Sequence, residues 1–426
     1  MPSPQPPQPP SSSRSRRFPG AAIRLTDDGP DARTDGSDPS GRLSRRSVLA
    51  GATGIALTAL GAAPATASAR TSVTGAGRSH ALSVRGADLS FLPQLEEAGV
   101  RYRDLAGRVR PAEQILARAG ANHLRLRVWV NPPAGYSDKE RALGLARRAK
   151  RAGMKIVLDP HYSDFWADPG KQPIPAGWPT DLAGLTAKVQ SYTRSLVREF
   201  AAQGTPVDIF QMGNEITNGI LWPVGQLYPA DGSQHWAEFA TLLKAGIAGA
   251  RQGAGRHPMP VMLHIDKGGR MGDTRWFFDN ITAQQVPYDI LGQSYYPMWH
   301  GSLADLRANL EDSVVRYGKP VLLSEISYPW TFEDGDGRGN IVGPDAVLPD
   351  VDRFPATPAG QAGFYQAVRE VLAGIPGGNG LGFLVWEPEW VPGVGWQPGA
   401  EASNDNLTQF DFTGHALPSI RAYRRP

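Results

Sequence analysis

Eight short apolar runs, each closing on polar residues, constrain this chain more than any other feature. They are SVRGADLS (83–90), ANHLRLRVWV (121–130), MKIVLDPHYS (154–163), PVDIFQMGNE (206–215), PVMLHID (260–266), YDILGQSYYP (288–297), PVLLSEISYP (320–329) and LGFLVWEP (381–388). Runs of this length, bounded by turn residues, read as buried strands. Helical stretches lie between them: PAEQILARAG, DKERALGLARRAKRAGM, DLAGLTAKVQSYTRSLVREFAAQ, HWAEFATLLKAGIAGARQ, SLADLRANLEDSVVRYG and TPAGQAGFYQAVREVLAGI. Their apolar residues recur at helical spacing, and several end on glycine. Eight alternations of strand and helix in about 350 residues predict an α/β fold, a (β/α)8 TIM barrel, as one domain over 80–426. An open doubly wound sheet would more often carry a glycine-rich phosphate turn after its first strand, and GADLS is not one.

Barrel sites lie at the C-terminal ends of the strands. Here those ends collect Asp88, Arg127, His161, Glu215, Tyr295 and Glu325. Glutamate is among the residues least often buried unless paired. Yet QMGNEITNGILW sets Glu215 behind Gly213 and Asn214 where the fourth strand stops, and VLLSEISYPW sets Glu325 at the end of the seventh. Strands four and seven face each other across a barrel mouth, so the two carboxyl groups can converge on one sugar. A retaining glycosidase needs such a pair: one protonated to donate to the leaving oxygen, one ionised to attack the anomeric carbon. Asn214 is placed to hydrogen-bond a sugar 2-OH, and the Tyr295 hydroxyl to orient Glu325.

Composition narrows the partners. The formal charge is +3, and residues 1–69 hold eight arginines against five aspartates, so the remainder is balanced. No broad positive field for nucleic acid is implied. With no cysteine, disulfides, thiolate metal sites and cysteine nucleophiles are excluded. Residues 1–69 read as a Pro/Ser/Arg-rich leader and an export signal: SRRSVLAGATGIALTALGAAPATASAR has paired arginines, a weakly apolar run and small residues at Ala67 and Ala69. Ser44-Arg45-Arg46-Ser47-Val48-Leu49 resembles the bacterial twin-arginine motif. The run is shorter than the ~20 residues a membrane span needs. A secreted monomer without membrane attachment after signal cleavage is expected.

The blocks RGADLSFLPQLEEAGVRYRD, HLRLRVWVNPP, LDPHYSDFWADPGKQ, QMGNEITNGILWPVG, DILGQSYYPMWHG, EISYPW and GFLVWEPEWVP resemble glycoside hydrolase family 53, the endo-β-1,4-galactanases that cut galactan side chains of pectin. The resemblance runs from about residue 83 to 424. It implies a retaining barrel with Glu215 as acid/base, Glu325 as nucleophile, and sugar contacts from Asp88, Arg127, His161, Asn214, Tyr295 and Trp386. Arg125 and Arg127 share a strand face. Arg127, nearer the mouth, is favoured, Arg125 stays open, and an arginine there would help keep Glu325 ionised. No organic cofactor is implied. Some bacterial members bind calcium in the loop that corresponds to FEDGDGRGN, which here would offer Asp334, Asp336, the Arg338 carbonyl and Asn340, joined by Asp405.

Sugars present flat C–H faces to aromatic rings. Trp166, Trp222, Trp299, Trp330, Trp386, Trp390 and Trp396 fall at or beyond strand ends and are groove candidates; Trp236 and Trp276 sit in helical stretches and read as core. Galactan is the expected substrate, with His161 and Asp164 of HYSD meeting an axial hydroxyl. Xylan, mannan or glucan cleavage by the same two glutamates remains the alternative, followed by a non-catalytic sugar-binding protein.

Overall fold

A computed structural model describes residues 80–400 and 402–425. The leader and export signal at 1–69 lie outside the described residues. Each apolar run forms a strand: β1 (Val84–Asp88), β2 (His123–Val128), β3 (Lys155–Pro160), β4 (Ile209–Gln211), β5 (Val261–Ile265), β6 (Ile290–Tyr295), β7 (Val321–Ile326) and β8 (Gly380–Val385). Every strand pairs in parallel with its sequence neighbours, and β8 closes onto β1, so the predicted barrel is the observed one.

Around the barrel run α1 (Leu92–Glu97), α2 (Ala112–Ala119), α3 (Lys139–Arg151), α4 (Leu182–Ala202), α5 (Trp236–Ala254), α6 (Met271–Ala283), α7 (Pro297–His300), α8 (Leu303–Tyr317) and α9 (Pro358–Ala373). Their ends follow local chemistry. Asp138, Asp181 and Thr357 accept backbone N–H groups at the starts of α3, α4 and α9, and Ser302 with Asp305 forms a capping box on α8. Helices α1 and α7 were not foreseen, since six and four residues are too few for a periodic signal. Helix α6, expected only through Trp276, has Arg270 at its N-cap without a side-chain hydrogen bond.

Inside the barrel the strands build two unlike layers. At the bottom, Val84, Val157, Ile209, Met262, Ile290, Leu322 and Leu384 form an apolar plug, each residue contributing about 1.5–3 kcal/mol on leaving water. Above it the inward positions are polar and fully buried: Arg125, Asp159, Gln211, His264, Ser294 and Ser324. Buried polar groups are tolerated only when hydrogen-bonded, so this layer must be a network. One irregularity shapes its upper edge. Pairing of β6 with β7 steps from Gln293↔Leu323 to Ser294↔Glu325. The extra residue lets neighbours Ser324 and Glu325 both face inward, the re-aiming a β-bulge provides.

Candidate active site

The turn after β4 opens the site. Gly213 has φ +80°, and a Cβ there would stand 2.8 Å from Ile216 Cγ2, so only glycine fits. The turn delivers Asn214 and Glu215 to the mouth. Glu215 itself has φ 45°, which a non-glycine residue keeps only where its surroundings enforce it.

Glu215 and Glu325 meet different partners. Glu325 Oε1 accepts from Arg125 Nη2 at 2.9 Å, and its Oε2 accepts from the Tyr296 hydroxyl at 2.8 Å. Glu215 Oε1 accepts from the Ser294 hydroxyl at 2.6 Å. Burial pushes both carboxyl groups above the usual range. At Glu215 the Glu325 and Asp266 charges push the same way, well above it, whereas at Glu325 Arg125 and Tyr296 oppose the burial. The proton therefore belongs on Glu215 and the negative charge on Glu325, a division of two carboxyls by environment.

Arg125 is the hub beneath them. Besides Glu325 it binds Asp88 Oδ2 at 2.7 Å, Asp159 Oδ2 at 2.8 Å, Gln211 Oε1 at 3.1 Å and Asn214 Oδ1 at 2.9 Å. Asn214 Nδ2 donates to the Ala167 carbonyl at 2.9 Å.

Several expected sugar contacts lie elsewhere. Tyr295 does not orient Glu325: its hydroxyl donates to the Gly301 carbonyl and its ring stacks near Phe364, on the outer face of β6. Tyr296, two residues beyond the inward Ser294, makes that contact, as a period of two requires. Of the two arginines it is Arg125, not Arg127, that reaches Glu325. Asp88 is fully buried, spent on Arg125, Ser90 and the Ser90 backbone. His161 is buried as well. Its Nδ1 accepts from Trp129 Nε1 and Ala167 N, so its proton sits on Nε2, 3.2 Å from Asp159 Oδ2. Asp164 accepts from Asn131 and from the Ala176 N–H, which braces two loops.

The sequence profile of glycosyl hydrolase family 53 matches residues 84–423. An arabinogalactan endo-beta-1,4-galactanase of Humicola insolens is 36% identical over 352 residues, 81% of this chain and all of that protein. A fungal beta-1,4-galactanase structure aligns with TM-score 0.71 at 34% identity, over 80% of this chain and 99% of the other. The family 53 catalytic domain of Ignisphaera aggregans gives TM-score 0.73 at 33% identity, over 80% of this chain and 95% of that one. The chain belongs to glycosyl hydrolase family 53.

In this family 53 glycoside hydrolase the aromatic residues beside the glutamates divide into wall and core. Trp386 stays half-buried at the end of β8, its ring 6.1 Å from that of the half-buried Trp166. Trp166 Nε1 donates to the Trp396 carbonyl at 2.9 Å. Trp299 and Trp396 are the open tryptophans, 48% and 37% exposed. Trp390 is 1% exposed and belongs to the core, contrary to expectation. Trp222 and Trp330 are half-buried and use their indole N–H groups within loops. Trp236 and Trp276 pack on Phe277 and each other, as expected of core residues.

Arg127 serves this wall from behind. Its guanidinium lies 4.3–5.1 Å from the rings of Trp166, Phe91 and Trp129, and it pairs with Glu387 Oε1 at 2.7 Å. Glu387 and Glu389 are both buried. Burial lifts Glu387 to about 7 although Arg127 pulls it down, and burial with the Glu387 charge lifts Glu389 well above the carboxylate range. Sequence reasoning missed this pair, along with Tyr296, Ser294, His264, Gln211 and Asp159. For Ser294, His264, Gln211 and Asp159 the available signal was their inward phase on strands already recognised, whereas Tyr296, Glu387 and Glu389 lie just beyond strand ends.

The Asp-rich loop folds around a polar centre. Ligand oxygens of Asp334, Asp336 and Asp405 lie within 4.8 Å of one another. Asn340 Nδ2 donates to Asp405 Oδ1 at 2.8 Å, while Asn340 Oδ1 is buried and has no hydrogen-bond partner. A buried orphan oxygen beside three carboxylates is the donor set a hard cation takes. Arg338 donates its backbone N–H to Asp336.

Proposed function

We propose that this glycoside hydrolase is an endo-acting β-1,4-galactanase that cuts galactan side chains of pectin with retention of configuration. The observation that carries the chemistry is the unequal setting of Glu215 and Glu325 on β4 and β7. The substrate rests on the names of the relatives, covered nearly end to end. Glu325, held ionised by Arg125 and Tyr296, attacks the anomeric carbon as Glu215 protonates the departing glycosidic oxygen. Glu215 then takes a proton from water, whose oxygen displaces Glu325. The second hydrogen of Asn214 Nδ2 is assigned to the sugar 2-OH, and Trp386 to a sugar face. Asp88, Arg127 and His161 act from behind, by holding Arg125, the aromatic wall and the Ala167 loop.

Asp334, Asp336, Asp405 and Asn340, with the Arg338 carbonyl, are the residues that would hold a calcium ion, which would tie loop 332–340 to the segment at Asp405. The export leader makes the protein a secreted one, and no helix among the described residues is long and apolar enough to cross a membrane. The test is protein starting near residue 70 on unbranched β-1,4-galactan, xylan, mannan and β-1,4-glucan. Viscosity falling faster than reducing ends appear, on galactan alone, supports the reading. Equal or better cleavage of another glycan overturns the substrate.

A further inference from the structure

A closed ring of hydrogen bonds ties both the backbone and the carboxyl of Glu215 to His264 and Ser294. The Glu215 N–H donates to His264 Nδ1 at 3.4 Å, and Gln211 Nε2 approaches the same nitrogen at 3.0 Å. Nδ1 also lies 3.2 Å from Asn214 Oδ1, which already accepts from Arg125 at 2.9 Å. Because the backbone N–H of Glu215 can only donate, Nδ1 is assigned the lone pair and Nε2 the proton. Nε2 lies 2.9 Å from Ser294 Oγ, so it donates there. With its oxygen accepting from histidine, Ser294 turns its own hydrogen to Glu215 Oε1 at 2.6 Å. Both residues are fully buried on the inner faces of β5 and β6.

We propose that Ser294 and His264 are positioning residues that fix the aim of Glu215 and confine its exchangeable proton to Oε2, the oxygen turned to the glycosidic bond. The inference rests on Glu215 being the acid/base. Two features carry it. First, Glu215 stands at φ 45° after a turn that only glycine can make, and such a conformation persists where contacts over-determine it. The ring holds this residue at both ends. Second, the direction of the ring is fixed. Because the Glu215 N–H can only donate to Nδ1, His264 donates from Nε2 to Ser294, and the serine hydrogen goes to the acceptor left in reach, Oε1 of Glu215. Oε1 thus accepts in both protonation states, and the acidic proton is left on Oε2.

In the first step that proton passes from Oε2 to the leaving oxygen as the C–O bond breaks and Glu325 bonds the anomeric carbon. In the second, Oε2 takes a proton from water as its oxygen bonds that carbon and Glu325 departs. Serine and histidine exchange no proton. Facing Glu215 are Glu325 from β7, Asp266 and His264 from the end of β5, Asp168 from the loop after β3, and Ser294 and Tyr296 from β6. Burial, then Arg125, keep His264 uncharged. Only the serine hydroxyl in this set favours the ionised form of Glu215.

The experiment compares Ser294→Ala, Ser294→Thr and Glu215→Ala with the parent on aryl β-1,4-galacto-oligosaccharides carrying an activated and a poor leaving group. Loss of one hydrogen bond to a charged group corresponds to a fall of ~10-fold or more in kcat/KM. That loss is expected for the poor leaving group only, since an activated phenolate departs without protonation. The basic limb of the pH profile should move up by about one unit in Ser294→Ala and return in Ser294→Thr. Equal loss on both substrates with an unmoved limb would overturn the proposal and leave Ser294 as packing. If Glu215→Ala keeps its rate on the poor leaving group, the acid/base reading fails and the proposal with it, a result that does not depend on Ser294. Nitrogen-15 NMR of the unmutated protein gives an independent check. His264 must show a neutral Nε2–H tautomer throughout about pH 5–8, and an Nδ1–H or charged ring would refute the ring's direction.

Discussion

Replacing Arg125 by methionine is the perturbation whose consequences the structure specifies most fully. The guanidinium is 1% exposed and binds three carboxylates, Asp88, Asp159 and Glu325. Methionine fills similar volume but strips all three of their shared cation. Removing one partner of a buried ion pair costs about 3–5 kcal/mol, because the other charge is left without compensation. Residues 84–423 form the barrel; at about 2.1 cal/mol/K per residue, their unfolding entropy is roughly 0.7 kcal/mol/K. The variant should therefore melt about 4–7 °C below the parent in calorimetry. It should also change the pH profile. Burial raises the Glu325 carboxyl and Arg125 is its strongest opponent, so without the arginine Glu325 protonates at higher pH. The acid limb of kcat/KM then moves upward by about one unit or more, and activity falls further at about pH 5 than at about pH 7. Arg127→Met, which breaks the Glu387 pair instead, should leave that limb in place. A melting change within about 1 °C and an unmoved acid limb in Arg125→Met would refute this reasoning. So would a limb that moved in Arg127→Met.

Other consequences can be checked with the same assays. Tyr296→Phe removes the hydroxyl on Glu325 Oε2 and should raise the acid limb and lower kcat/KM by ~10-fold or more, whereas Tyr295→Phe should leave the limb where it is. Glu387 at about 7 and Glu389 above it bind protons in the folded chain that the unfolded chain releases near the ordinary 4.5, so stability falls as pH rises from about 4.5 through about 7. Glu389→Gln should flatten that fall and raise Tm by a few degrees at about pH 8; a steeper fall would contradict a raised Glu389 carboxyl. Chelation should lower Tm by about 4 °C from a state holding calcium at ~100 times Kd, where binding contributes ~2.7 kcal/mol. Asp405→Asn should weaken that response, and an identical Tm with and without chelator in the parent would remove calcium from the account.

The barrel was legible because strands buried on both faces read as unbroken apolar runs, and eight of them recur with helices between. Glu215 and Glu325 were legible because an ionisable residue at the end of such a run has few structural reasons to be there. Their supports were harder to see. Reading Tyr295 as the partner of Glu325 overlooked the phase of β6, where inward Ser294 puts Tyr296 on the inner side, and the register step that sets Ser294 opposite Glu325 is a property of the assembled barrel. Nearness to the mouth favoured Arg127, but Glu387, two strands away, and the aromatic rings of Phe91, Trp129 and Trp166 capture it first. Arg125, one inward position deeper, is left to reach across to Glu325. Trp390 shows the same limit, since its place beyond β8 says nothing of the fold-back that hands its N–H to the Val394 carbonyl.

The pairing of Glu215 as acid with Glu325 as nucleophile is tested most directly by proton NMR during cleavage of unbranched β-1,4-galactan. Newly made reducing ends should appear first as the β anomer and convert to α only with mutarotation. Ends that appear first as the α anomer would mean that water, not Glu325, attacks the sugar, and the assignment of the two carboxylates would fall.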